Sequence, residues 1–179
     1  MKSISDQLSS YAAYHRDRRN IATHVVGIPL IVFAVTILLA RIAWSVPGLP
    51  FALTPAMLAA AAAGIYYLRL DLRFGAVMSA LLALSVWGSA GLATGSTTQW
   101  LCAGLGLFVV GWLIQFIGHY FEGRKPAFVD DLMGLVIGPL FVVAELAFML
   151  GLRRELHREV LRRAGPTLVR RSAAGATGT

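Results

Sequence analysis

The stretch Trp100–Phe121, WLCAGLGLFVVGWLIQFIGHYF, decides the fold class. It holds no Asp, Glu, Lys or Arg, and as a helix of roughly 20 residues it spans the ~30 Å hydrocarbon core of a bilayer. Backbone amides and carbonyls inside lipid must pair within their own segment, so such a run reads as a transmembrane helix. Working outward, similar runs cover residues 28–44, 52–68 and 74–94, and a fifth covers 132–152. Hydrophobic residues are 57% and charged residues 14% of the chain, with a mean hydropathy of +0.69. Soluble domains carry about a quarter charged residues, so the composition points the same way.

Residues 3–25 differ. Ile4, Leu8, Tyr11, His15 and Ala22 fall near helical spacing beside Arg16, Arg18 and Arg19, which predicts an amphipathic helix lying on the lipid head groups. This polar stretch delays the first apolar run too long for a secretory leader, so no cleaved signal is expected. Cys102, alone in an apolar run, excludes an internal disulfide and reads as a small packed residue. The net charge of +7 fits an anionic lipid surface, and no aromatic-basic interleaving supports nucleic-acid binding.

Charge placement predicts the topology. Lys2, Arg16, Arg18 and Arg19 precede the first run, Arg69 and Arg73 follow the second, and Arg124 and Lys125 follow the fourth. The turns at 45–51 and 95–99 contain no Lys or Arg, so the charged ends face the cytoplasm, as for a protein of the bacterial inner membrane. Residues 153–171 hold seven arginines, which five full crossings would strand outside. Gly138-Pro139 and Glu145 interrupt the fifth run, and irregular backbone is tolerated at that depth when protein surrounds it. The expected fold is therefore all-α and polytopic. It has about four transmembrane helices, the N-terminal amphipathic helix, and a C-terminal re-entrant or shallow helical hairpin. Residues 1–165 read as one membrane-embedded domain and 166–179 as a disordered basic tail. Nothing in the sequence sets an oligomeric state.

Three of the four histidines, His15, His24 and His119, fall on the charged side, where imidazoles meeting at a pocket would suit iron, copper or zinc. His15 and His24 are nine residues apart, opposite faces of a straight helix, so they share a metal only if the helix breaks between them. Asn20 is a candidate cap for such a break, and Gly27 and Pro29 supply a second irregularity. His157 lies in a run of charges and reads as a solvated residue. Glu145 is the one carboxylate inside an apolar run. A ligand, a partner to a histidine, or a structural partner for Arg41 or Arg124 all fit it. Glu122 is a weaker candidate, and Asp130 or Asp131 suits the cap of a helix from Leu132. Arg124 and Lys125 suit a substrate carboxylate, although topology alone also explains them.

The pattern Tyr11-x3-His15-x4-Asn20-x3-His24-x2-Gly27-x-Pro29, then Gln115-Phe-Ile-Gly-His119-Tyr-Phe-Glu122-Gly-Arg124-Lys125-Pro-Ala, then Gly138-Pro139-Leu140-Phe141 and Glu145, resembles the membrane 2-hydroxy fatty acid dioxygenases. That family is known from the fungal enzyme of phytosphingosine breakdown, and the resemblance spans about residues 8–150. It implies an Fe(II)-dependent, O2-using α-oxidation that releases carbon dioxide and leaves a fatty acid one carbon shorter. It implies His15, His24 and His119 as catalytic iron ligands. With such a centre, Arg124 or Lys125 is expected to hold the substrate carboxylate by charge-assisted hydrogen bonds, and Asn20, Glu122 and Glu145 are the candidates for supporting or structural roles. The competing expectation is a non-catalytic membrane transporter or lipid-binding scaffold. Di-iron hydroxylases and desaturases need more histidines than the four present.

Overall fold

The computed structural model describes residues 2–126, 130 and 132–169. Among these residues it is all-helical: α1 (Ile4–Ala12), α2 (Arg18–Ala40), α3 (Pro55–Leu70), α4 (Leu72–Thr94), α5 (Thr97–Glu122), α6 (Met133–Met149) and α7 (Arg154–Ala164). Helices α2, α4 and α5 are long and apolar enough to cross a membrane, and a fourth crossing is possible if the bent pair α6–α7 is one span. The all-helical membrane class and the bent C-terminal pair agree with the sequence.

The differences are local and have physical causes. The amphipathic helix expected over 3–25 stops at Ala12, and α2 begins at Arg18. The amides of Arg16 and Asp17 bond to the Glu122 carboxylate at 2.9 and 2.7 Å, so they are lost to the helical ladder. The break thus lies before Asn20, which sits inside α2, and α2 continues through Gly27 and Pro29. Helix α3 starts at Pro55, capped by Thr54, and at 16 residues is shorter than the 52–68 run suggested a crossing would be. Gly138-Pro139 does not break α6. The bend of 116° comes after it, where Gly151 (φ 74°) and Arg153 (φ 51°) are left-handed. There the Leu152 amide reaches the Ala147 carbonyl and the Gly151 amide the Phe148 carbonyl, the Schellman closure of a helix end. Cys102 is exposed on α5 rather than packed.

The chain divides into two compact units. One comprises Ile28–Trp112. In it α3 and α4 form a hairpin, with the Asp71 side chain capping α4 at the Phe74 amide. A Cβ on Gly75 would stand 2.5 Å from the Leu68 Cα, so glycine is required at this approach. Arg41 donates to the carbonyls of Ala93 and Gly95 and so serves the end of α4, not Glu145.

The other unit comprises Met1–Gly27 and Leu113–Thr179. Its core joins Leu8, Tyr11 and Ala12 of α1 to Ile137, Leu140, Phe141 and Ala144 of α6 and Val160 of α7. Leu168, within the tail expected to be disordered, pairs by backbone hydrogen bonds with Arg16 and Arg18. Residues 170–179 of that tail lie outside the described residues, as does Asp131. Leu132 precedes α6 with no side-chain cap. Asp130 instead meets Lys125 and the Tyr14 hydroxyl.

Candidate metal centre

The centre lies within that second unit. The break after α1 frees His15 from helical spacing, so it meets His24 on the second turn of α2 and His119 on the last turn of α5. Ring centroids are 4.5 Å apart for His15–His24, 5.2 Å for His15–His119 and 5.0 Å for His24–His119. All three are buried, and one ring nitrogen from each lies within 4.8 Å of the others. Two nitrogens ~2.1 Å from one metal ion are at most ~4.2 Å apart, so binding an ion needs only a small inward movement of the rings.

Which nitrogens face the centre follows from their hydrogen bonds. His15 Nδ1 is 2.8 Å from the Tyr11 carbonyl, and His24 Nδ1 is 2.8 Å from the Asn20 carbonyl. A carbonyl only accepts, so each Nδ1 carries a hydrogen and each Nε2 offers a lone pair when the ring is neutral. Burial, then the neighbouring His24 and His119, hold His15 well below the usual histidine pKa and hence neutral. His15 Nε2 and His119 Nδ1 are buried with no hydrogen-bond partner among the described residues. Leaving such atoms unmatched costs about 1–3 kcal/mol each, so this donor set fits an imidazole-binding metal.

A frame holds the three rings. Glu122, buried and one turn beyond His119, accepts through Oε2 from the Arg16 and Asp17 amides and from Asn20 Nδ2 at 3.2 Å. It holds the two amides just ahead of α2, whose N-cap is the Asp17 side chain, accepting from the Arg19 amide at 2.9 Å. Asn20 thereby joins the histidine group to this frame: its carbonyl accepts from His24 Nδ1 and its side chain donates to Glu122. Gly118 lets the two helices approach, since a Cβ there would collide with Thr23 Oγ1 and Asn20 Oδ1. Gly123 (φ 67°) then ends α5.

The remaining residues from the sequence reading are placed as follows. Arg124 donates to the Ala13 carbonyl at 3.2 Å, and exposed Lys125 pairs with Asp130 at 2.5 Å. Glu145 is half-buried on α6, and its carboxylate acts electrostatically on Arg16. His157 is not a freely solvated residue; it is half-buried with its ring stacked on Phe148 at 4.5 Å. It lies outside the histidine group.

Three further residues carry weight that charge-based reading passes over. Tyr11 stacks face to face on His15 at 4.2 Å, and Phe141 lies 5.8 Å from the same ring. Gln115, one helical turn before His119, is buried with its Nε2 unpaired. A lone amide in an otherwise apolar run was the available signal for it.

Comparison with known proteins matches this sequence to a named group. The family model described as 2-hydroxy-palmitic acid dioxygenase Mpo1-like matches residues 1–150. The chain is 31% identical over 150 residues to the 2-hydroxy-palmitic acid dioxygenase MPO1 of Saccharomyces cerevisiae, covering 83% of this chain and 82% of the relative. No solved structure matches the chain.

Proposed function

Because this chain belongs to the 2-hydroxy-palmitic acid dioxygenase Mpo1-like family, we propose that it is an Fe(II)-dependent dioxygenase that shortens 2-hydroxy fatty acids by one carbon. The overall change is RCH(OH)COOH + O2 → RCOOH + CO2 + H2O. The hydroxy acid gives up four electrons and O2 takes up four, so no separate reductant is needed. The observation that carries the reading is the meeting of three buried imidazoles, two of them with buried ring nitrogens that lack a partner among the described residues.

In this reading His15, His24 and His119 hold the iron. The bound ion supplies the one-electron chemistry by which O2 reacts with a closed-shell organic substrate. The chain's own residues do the rest. The Tyr11 and Asn20 carbonyls fix the orientation of two rings, while Tyr11 and Phe141 wall His15 with aromatic surface that excludes water. Arg124 and Lys125 bring positive charge to the loop before His15 and are assigned to the substrate carboxylate. The acyl tail stays in the bilayer while the polar head reaches the centre. Residues 1–165 are the proposed catalytic domain, with the site toward the cytoplasmic face of a bacterial inner membrane.

Metal analysis with an activity assay tests this. Purified chain is expected to bind about one iron per molecule. That iron should be lost in His15→Ala, His24→Ala and His119→Ala, and 2-hydroxypalmitate should yield the acid one carbon shorter. Protein that binds no metal and leaves 2-hydroxypalmitate intact with ferrous iron and O2 would leave a non-catalytic lipid-binding protein.

A further inference from the structure

The family match ends at residue 150, yet the chain continues into α7 and a short strap that is fastened to the centre of the molecule's chemistry. We propose that α7 and the turn before it form a docking face for anionic lipid head groups, and that docking there steadies the loop carrying His15.

The face has two parts. Met149 and Leu150 at the end of α6 are 78% and 77% exposed, and Leu152 is also exposed. Immediately beyond, Arg154, Arg158 and Arg162 follow at four-residue spacing along the outward side of α7, while Val160 is buried on its inward side. Among the described residues Arg154 and Arg158 donate only to backbone carbonyls, of Gly151 and Arg154, and neither meets a carboxylate. Free guanidinium groups bind phosphate in pairs of parallel hydrogen bonds, and apolar side chains beside them enter the acyl boundary. Phospholipid at a membrane surface offers both chemistries together, whereas an acidic soluble partner offers no place for Met149 and Leu150.

The mechanical link is equally specific. α7 packs on α1, with Arg163 paired to Asp6 at 2.6 Å. After Gly165 (φ 84°) the chain turns back. The Arg16 guanidinium donates to the Gly165 carbonyl, the Leu168 amide to the Arg16 carbonyl at 2.9 Å, and the Arg18 amide to the Leu168 carbonyl at 2.9 Å. These bonds flank Asp17 in the segment between His15 and His24. Whatever holds α7 therefore restrains that segment.

The test uses the full chain in nanodiscs of phosphatidylcholine alone, or of phosphatidylcholine with phosphatidylglycerol, read by amide hydrogen exchange. Anionic lipid is expected to slow exchange about tenfold, a factor equal to ~1.4 kcal/mol, in peptides covering residues 14–18 and 154–168. Arg154→Gln/Arg158→Gln should abolish the difference between the two bilayers in both peptides. Leu150→Gln, which keeps every arginine, should reduce it, and it serves as the second probe if the double variant exchanges fast even in neutral lipid. Equal exchange in the two bilayers overturns the proposal. So does protection that survives both variants, or that follows protein concentration and so assigns the face to a second copy. Exchange needs neither metal nor turnover, so the result stands apart from the oxygenase assignment.

Discussion

The amide of Asp17 is bound at 2.7 Å by the carboxylate of Glu122, a residue 105 positions further along the chain. With the neighbouring Arg16 amide, this bond turns a helix break into a fixed corner. Glu122→Ala leaves two buried amides without an acceptor, at about 1–3 kcal/mol each. Its affinity for Co(II), used as a spectroscopic stand-in for iron, is expected to fall about 10–100-fold with the three histidines intact. Glu122→Gln keeps one acceptor oxygen and should fall between. Wild-type affinity in the alanine variant would remove Glu122 from the positioning role.

Gly118 sets how closely α2 and α5 approach. Gly118→Ala places a methyl against Thr23 and Asn20, and such overpacking costs typically about 1–3 kcal/mol. Both thermal stability and metal affinity should drop. Gly106→Ala, whose Cβ meets nothing within 4 Å, is the control and should behave as wild type in both measurements.

Arg124 and Lys125 are expected to differ as carboxylate partners. Lys125 is already paired with Asp130, whereas among the described residues the Arg124 guanidinium is anchored only at the Ala13 carbonyl, two residues before His15. Arg124→Ala should raise KM for a 2-hydroxy acid about tenfold with little change in kcat, as expected for a lost bond to a charged group of ~1.5 kcal/mol. Lys125→Ala should do less. Equal effects, or none, would return both residues to a purely topological role.

Asp6 gives a pH marker for the α1–α7 contact. Hydrogen bonds from Ser3, then the Arg163 guanidinium, lower its pKa from 3.8 to about 2. A depressed carboxylate contributes stability above its ordinary pKa and loses it as pH falls through the folded value. The carboxyl resonance of Asp6 should therefore titrate near pH 2. In Arg163→Gln the midpoint should return only part of the way to 3.8, because Ser3 supplies the larger share. A full return would show that the ion pair dominates.

Most of the fold was legible because lipid imposes one strong rule: long apolar runs must be helices, as at 74–94 and 100–121. Helix ends depending on local residues were readable in principle, as with Thr54-Pro55 and Gly151. The break after Ala12 was readable only in part: the Asp17 side chain that caps α2 at the Arg19 amide is local, whereas the Glu122 carboxylate that holds the Arg16 and Asp17 amides is distant. The convergence of His15 and His24 needed that same break, so spacing stated the condition without meeting it. Glu145 was expected opposite Arg41 or Arg124, whereas its electrostatic neighbour is Arg16, which only the folded chain brings near it. Tyr11, Phe141 and Gln115 act through stacking and burial, which leave no charge signal in the chain.

The Glu122 bond also carries a consequence for biogenesis. During synthesis, residues 15–24 emerge long before His119 and Glu122 exist, so the corner between α1 and α2 has no acceptor for its amides. The bonds from the Arg16 and Asp17 amides to Glu122 form only after the ribosome has added the whole of α5. A nascent chain stalled before residue 119 holds at most two of the three imidazoles, so the buried histidine group is assembled late.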